Sequence, residues 1–229
     1  MIKVDKLIKS FHDGEKELVV LKELNLRVKG GEFISITGRS GSGKSTLLYQ
    51  LGLLDHPNSG QILIDDIDVL ALNPTERTRF RLQELGYIFQ DYALLPEMNA
   101  EENVMLPLLM QGLTKRKARD MAVKALEKIG LGPKLDNLPS QLSGGEQQRV
   151  SIARAIAHDP KIIFADEPTA NLDADTSQVV LDYFLELHRE GQTIVMVTHE
   201  PEYARLTDRI LLLSDGVIDD KEGIDGHKH

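Results

Sequence analysis

Residues 38–46, Gly-Arg-Ser-Gly-Ser-Gly-Lys-Ser-Thr, form a glycine-rich loop that ends in a lysine and two hydroxyls. The pattern G-x-x-x-x-G-K-[ST] suits one task, the cradling of phosphates. Gly38, Gly41 and Gly43 let backbone N–H groups face an anion, and a helix starting at the loop's end adds a favourable field. Lys44 would reach the β- and γ-phosphates of a nucleoside triphosphate, and Ser45 would ligate Mg²⁺. Arg39, Ser40, Ser42 and Thr46 complete the loop. A glycine-rich turn between strand and helix is the plain alternative. Since the pattern arises by chance in roughly one chain in a hundred of this length, its surroundings decide. Phe33-Ile34-Ser35-Ile36-Thr37 reads as a buried strand before it, and Leu47, Leu48 and Leu51 share one helical face after it, with Gly52 as a stop.

A second chemical group ends the apolar run Ile162-Ile163-Phe164-Ala165, which leads straight into Asp166-Glu167-Pro168. Two carboxylates at a strand end beside a phosphate loop suit metal-assisted hydrolysis: Asp166 would hold Mg²⁺ through water, and Glu167 would polarise the attacking water. Helix capping or a solvated strand end is the lesser alternative for the pair standing alone. His199 follows Ile194-Val195-Met196-Val197-Thr198. Strand ends on one edge of a parallel sheet converge on a ligand crevice, where an imidazole could hydrogen-bond the γ-phosphate; a strand-end histidine is also often incidental. His227 and His229 in the tail carry no assignment. Ser143-Gly144-Gly145-Glu146 matches the helix capping box S-x-x-E ahead of Val150, Ile152 and Ala153. The same helix N-terminus, with two glycines at its mouth, is a second anion-binding surface.

The elements that must hold these groups follow from periodicity. The first thirty residues alternate like strands, and Asp65-Asp66 reads as a turn between Ile62–Ile64 and Ile67–Val69. Ala118, Met121, Ala122, Ala125, Leu126 and Ile129 follow helical spacing and stop at Gly130. The segment before them is rich in leucine and methionine and is broken up by Pro96 and Pro107. After residue 157 the parallel-sheet pattern returns, with strands at 162–165 and 194–197, a helix around 179–187 and a last strand at 210–213 before an acidic tail. The expected fold is therefore α/β, a single domain over 1–229. Residues 1–90 and 158–229 form a nucleotide-binding core with an antiparallel β-subdomain, and 91–157 form a helical insert.

Bulk properties exclude several classes. Of 229 residues none is cysteine, so there is no disulfide framework or thiolate zinc site. No apolar run is long enough to span a bilayer, and the N-terminus lacks a signal-peptide pattern. A net charge of −9 argues against broad nucleic-acid binding. The local basic clusters at Arg77, Arg79 and Arg81 and at Lys115, Arg116, Lys117 and Arg119 read as solvated helix faces.

The phosphate loop, Gln90, Leu142-Ser-Gly-Gly-Glu-Gln-Gln-Arg149, Ile162-Ile-Phe-Ala-Asp-Glu-Pro168, Asn171-Leu172-Asp173 and Thr198-His199-Glu200 occur in the order seen in ATP-binding cassette (ABC) ATPases. The chain resembles that family over residues 1 to 218. The resemblance implies a P-loop NTPase, RecA-like core and a homodimer with ATP sandwiched at the interface. Ser143 and Gly145 would then act on the partner's nucleotide, with Gly144 and Glu146 beside them and Asp173 at the seam. Gln90 would contact Mg²⁺ and the lytic water while sensing a membrane partner, and Phe11 resembles the aromatic residue that stacks on adenine, normally a tyrosine. The stretches 52–60, 89–96 and 102–108 look like the branch of macrolide-exporter, lipoprotein-releasing and cell-division ATPases. Departures are Arg39 where proline is common, Glu146 where glutamine is common, and Asn171 where small residues vary; none removes a catalytic group.

These expectations make an ATP hydrolase subunit that drives a separate integral membrane permease, lying on the cytoplasmic face through that partner. The permease would dock where the Gln90 segment meets the helical insert, at Tyr92, Leu94, Leu95 and Met98, although burial of these residues within the insert is an equal alternative. A soluble ABC ATPase of cofactor assembly or another non-transport process is the other reading. Long coiled-coil or zinc insertions of DNA-acting types are missing between Ser45 and Leu142, and the chain has room for one cassette only. A regulatory module with little hydrolysis fits poorly with an intact Glu167 and His199.

Overall fold

The computed structural model describes residues 1–14 and 16–219; the acidic tail with His227 and His229 lies outside them. The chain divides into two compact units, Met1–Arg77 with Gly191–His229, and Thr78–Glu190.

In the first unit, β1 (Ile2–Asp13) pairs antiparallel with β2 (Lys16–Val28) on one side and β4 (Ser59–Ile64) on the other, and β5 (Ile67–Asp68) closes on β4. Alternation puts Ile2, Val4, Leu24, Leu26, Val28, Ile62 and Ile64 on the covered face. The β4–β5 turn is the expected Asp65-Asp66, with φ 49° and 62°, the double left-handed geometry that matches strand twist. A parallel group stands beside it in sequence: β3 (Phe33–Thr37) lies between β8 (Thr193–Val197) and β9 (Arg209–Ser214), parallel to both, and β10 (Val217–Asp219) folds back on β9. Phe33 to Ile36 and all of β8 are buried, as unbroken apolar runs in parallel sheets are. Helix α1 (Lys44–Leu51) follows β3, and Gly52 is its C-cap.

In the second unit, β6 (Leu85–Ile88) runs parallel to β7 (Ile162–Asp166). Helices α3 (Ala100–Met110), α4 (Lys115–Lys128), α5 (Gly144–Ile156) and α6 (Ala174–Arg189) carry side-chain caps from Asn99, Thr114, Ser143 and Asp173 in turn. Each cap accepts from a first-turn backbone N–H that the helix cannot satisfy itself. Helix α3 packs on α4 and α5, and α5 on β6 and α6. Pro107 sits inside α3 rather than breaking it. Burial of Val104, Met105 and Leu108 against its neighbours outweighs the lost N–H and the clash a proline brings. Before β6 lies α2 (Pro74–Glu84), with no buried residue, which is where the arginines at 77, 79 and 81 sit.

Candidate functional site

The phosphate loop leaves β3 and enters α1. Gly43 is the N-cap, at φ 99°, and offers no side-chain cap, so the first N–H groups of α1 are not closed off by a capping side chain. Gly38 has φ 150°, and a Cβ there would lie 2.2 Å from the Leu213 carbonyl oxygen; at Gly43 it would meet Val20 Cγ1 at 2.8 Å. Only glycine lets the loop pass between β9 and β2 in this path. Lys44 is 7% exposed, and its ammonium donates to the Gly38 and Arg39 carbonyls at 3.0 and 3.1 Å, so the cation sits inside the curl of its own loop. Ser42 Oγ is buried without a hydrogen-bond partner among the described residues, a donor that an anionic oxygen in the loop would satisfy. Arg39, Ser40 and Gly41 are exposed, and Ser45 and Thr46 are half-buried.

Strand ends bring further groups alongside. Ile36 is in register with Val197 between parallel β3 and β8, so the loop after Thr37 and the Thr198-His199 segment emerge at the same edge. His199 is exposed, and its Nε2 lies 3.1 Å from Glu200 Oε1. Phe11, near the end of β1, is 45% exposed; one ring face carries the Lys9 ammonium, 4.8 Å from the centroid, and Leu18 is its cross-strand partner.

The second unit repeats this arrangement. Ile88 is in register with Ala165, so Gln90 and Glu167 leave the same end of the β6–β7 pair. Asp166 is 4% exposed. Glu167 has φ 44°, a left-handed backbone that costs a non-glycine residue about 1–3 kcal/mol and concentrates at sites of function. The carbonyl of Gln90 accepts from Asn171 Nδ2 at 3.0 Å, which ties the Gln90 segment to the loop after the two carboxylates.

The capping box at Ser143 is formed: Ser143 Oγ accepts from Glu146 N at 3.3 Å, and Glu146 Oε2 accepts from Ser143 N at 2.8 Å. That backbone bond, with Lys134 3.6 Å away, holds the Glu146 carboxyl below its ordinary pKa, against a smaller opposing effect of burial. Gly145 is buried, and a Cβ on it would meet Thr176 Cγ2 at 2.1 Å. Thr176 Oγ1 donates to Asp173 Oδ2 at 2.8 Å, and Asp173 Oδ1 accepts from Thr176 N at 2.9 Å; these bonds lower the Asp173 pKa. The mouths of α5 and α6 are thus fitted to each other.

Three contributors had no signal in residue spacing. Thr176 fills the notch at Gly145, Arg154 donates to the carbonyls of Tyr92 and Ala93, and buried Asn103 holds residues 95–99 through four hydrogen bonds, to Leu95 N, Leu95 O, Met98 O and Asn99 O. Each acts on backbone or on a methyl group, which no motif records. Leu95 is 40% exposed, while Tyr92, Leu94 and Met98 are half-buried, so the two readings of that stretch divide between its residues. Ser45 in the first unit carries a hydroxyl, and Gln90 and Asp166 in the second carry an amide oxygen and a carboxylate, each a hard oxygen of the kind Mg²⁺ takes.

Among known proteins, a family model described as ABC transporter matches residues 21–170. The chain is 44% identical over 218 residues to an uncharacterised ABC transporter ATP-binding protein, YknY of Bacillus subtilis (strain 168), covering 95% of each. It is 48% identical over 214 residues to the lipoprotein-releasing system ATP-binding protein LolD of Legionella pneumophila (strain Paris), covering 93% and 94%. It also matches the macrolide export ATP-binding/permease protein MacB of Syntrophobacter fumaroxidans at 45% identity, over 99% of this chain but 32% of that one. Among solved structures, the dimeric post-hydrolysis state of the ATP-binding cassette MJ0796 bound to ADP and Pi superposes with a TM-score of 0.91 at 40% identity, covering 99% of this chain and 100% of that one.

Proposed function

Because this chain belongs to the ABC transporter family of ATP-binding proteins, we propose that it is the ATP-driven subunit of a membrane complex whose permease is a separate protein. It binds and hydrolyses ATP. No helix among the described residues is long and apolar enough to cross a membrane. Attachment to the cytoplasmic face would therefore come through the permease, docked at the stretch from Tyr92 to Met98. What carries the reading is full-length likeness to a dimeric cassette captured with ADP and phosphate; the relatives' names point to lipoprotein release and macrolide export.

In this proposal the backbone N–H groups of 38–46 and the Lys44 ammonium take the β- and γ-phosphates, and Phe11 offers its open face to adenine. Ser45 and Gln90, with Asp166 through water, would hold Mg²⁺, and the ion would supply charge neutralisation to the transferring phosphoryl group. Glu167 accepts a hydrogen bond from the attacking water, polarising and aligning it, and His199 donates to the γ-phosphate. The mouth of α5, Ser143 to Glu146, completes the site of a second copy, with Asp173 at the seam. The subdivision into a core with β-subdomain, 1–90 and 158–229, and a helical subdomain, 91–157, belongs to the same proposal.

Glu167→Gln tests it. The variant keeps the size and polarity of the side chain but loses the base, so it should bind ATP, elute as a dimer in Mg-ATP and as a monomer in ADP, and hydrolyse about 10²–10⁴-fold more slowly. An integral membrane protein should co-purify with the ATP form. Wild-type turnover would remove Glu167 from its role, and a soluble partner alone would remove the permease.

A further inference from the structure

The Gln90 segment contains two successive non-glycine residues in the left-handed region, Tyr92 at φ 62° and Ala93 at φ 48°. Neither is a residue that adopts this backbone readily. Their own turn bonds, Tyr92 N to Phe89 O at 3.3 Å and Ala93 N to Asp91 O at 2.7 Å, are local, and short turns of this kind do not hold a strained pair by themselves.

What holds it comes from α5. Arg154, near the C-terminal end of that helix, spreads its guanidinium over both strained residues: Nη2 donates to the Tyr92 carbonyl at 2.8 Å, and Nη1 donates to the Ala93 carbonyl at 2.5 Å. A planar fork suits two successive carbonyls, which a lysine cannot match. Arg154 is half-buried, and burial lowers its pKa from the ordinary value. The segment is also seated at the other end of the helix, since the Tyr92 hydroxyl lies 3.1 Å from where a Cβ on Gly144 would stand. On its far side Asn171 binds the Gln90 carbonyl.

We propose that Arg154 is a positioning residue: by clamping Tyr92 and Ala93 it fixes the Gln90 loop to the signature helix, so that loop and helix move as one piece. A push on Tyr92 to Met98 then reaches the Ser143–Gly145 mouth directly through the helix rather than by way of bound nucleotide. The catalytic side of this rests on the proposed ATPase role of Gln90; the clamping itself does not.

The test uses the isolated full chain. Hydrogen exchange of the Tyr92 and Ala93 amides should speed up at least tenfold in Arg154→Met, with α5 and β7 amides unchanged, and less in Arg154→Lys, which can serve one carbonyl at a time. Adding Ala93→Gly, which occupies this backbone without a Cβ penalty, should bring exchange in the Met variant back toward wild type. At saturating Mg-ATP the Met variant should lose kcat severalfold while the ATP KM stays within twofold. Unchanged exchange at 92 and 93 in both arginine variants overturns the clamp, and so does failure of the glycine to rescue. Faster exchange with unchanged kcat overturns the link to Gln90 while leaving the clamp standing. Should the wild type itself not hydrolyse ATP, the functional reading fails and the exchange result still decides the clamp.

Discussion

Gly145→Ala separates two effects that act at one atom. Gly145 is helical, and helix propensity alone would reward alanine by up to about 1 kcal/mol. The structure reverses the sign. A Cβ at 145 falls 2.1 Å from Thr176 Cγ2, whereas carbon atoms rest at about 3.5–4.0 Å, so an overlap of about 1.5 Å must be relieved. Thr176 has one torsion to offer, and turning it gives up the bond from Oγ1 to Asp173 Oδ2, worth about 0.5–1.5 kcal/mol. The other route is to part α5 from α6, an overpacking cost of about 1–3 kcal/mol. Set against the propensity gain, the net loss is up to about 2 kcal/mol, or a melting temperature up to about 8 °C lower for a chain of this size. Thermal unfolding without nucleotide measures it. The double variant Gly145→Ala/Thr176→Ser, which deletes the offending methyl and keeps the hydroxyl on Asp173, should melt near wild type. If hydrolysis stays low in that double variant, the methyl added at 145 also disturbs the proposed contact of this helix end with nucleotide. A single Gly145→Ala that melts at or above wild type would refute the packing argument.

Two further outcomes can be read with simple assays. Phe11→Ala should weaken ATP binding about 5- to 100-fold, the range expected when a base loses an aromatic platform, with little change in melting because the ring is already 45% exposed; Phe11→Tyr should be silent, and equilibrium binding of ATP checks both. Glu146 has a depressed folded pKa, so its contribution is present above the unfolded value and lost as pH falls through the folded one. Glu146→Gln still accepts from Ser143 N but does not titrate, and melts from neutral pH down to about pH 3 should show a shallower acid slope than wild type.

Much of this architecture can be read from residue order because it is written in periodicity or in glycine. The buried runs of β3, β7 and β8 are continuous because parallel strands are covered on both faces, and the Asp65-Asp66 turn and the Ser143 box announce themselves by residue type. Helix α2 gives no such signal: with no buried residue it has no apolar stripe to detect. Strand β6 is four residues long and follows α2 directly, too short for alternation to register. Pro107 misleads in the opposite way, since the proline rule is local and the packing of α3 is not. At the candidate site the chemical groups are legible and their supports are not. Arg154 reads as one more cation on a helix, Thr176 as an ordinary cap neighbour and Asn103 as a polar residue in an apolar helix, because what each does depends on backbone atoms distant in sequence.

Asn103 has a consequence of its own. Its buried amide supplies the hydrogen bonds that shape residues 95–99, so that shape is guaranteed from beneath, by α3, and makes no demand on the side chains above it. Leu95 and Glu97 are exposed. A surface whose contour is fixed while its chemistry is free to change works as an interchangeable adaptor. Under the proposed docking at Tyr92 to Met98, one motor of this design would be refitted to a different membrane protein by rewriting a few outward residues, with the engine left as it was.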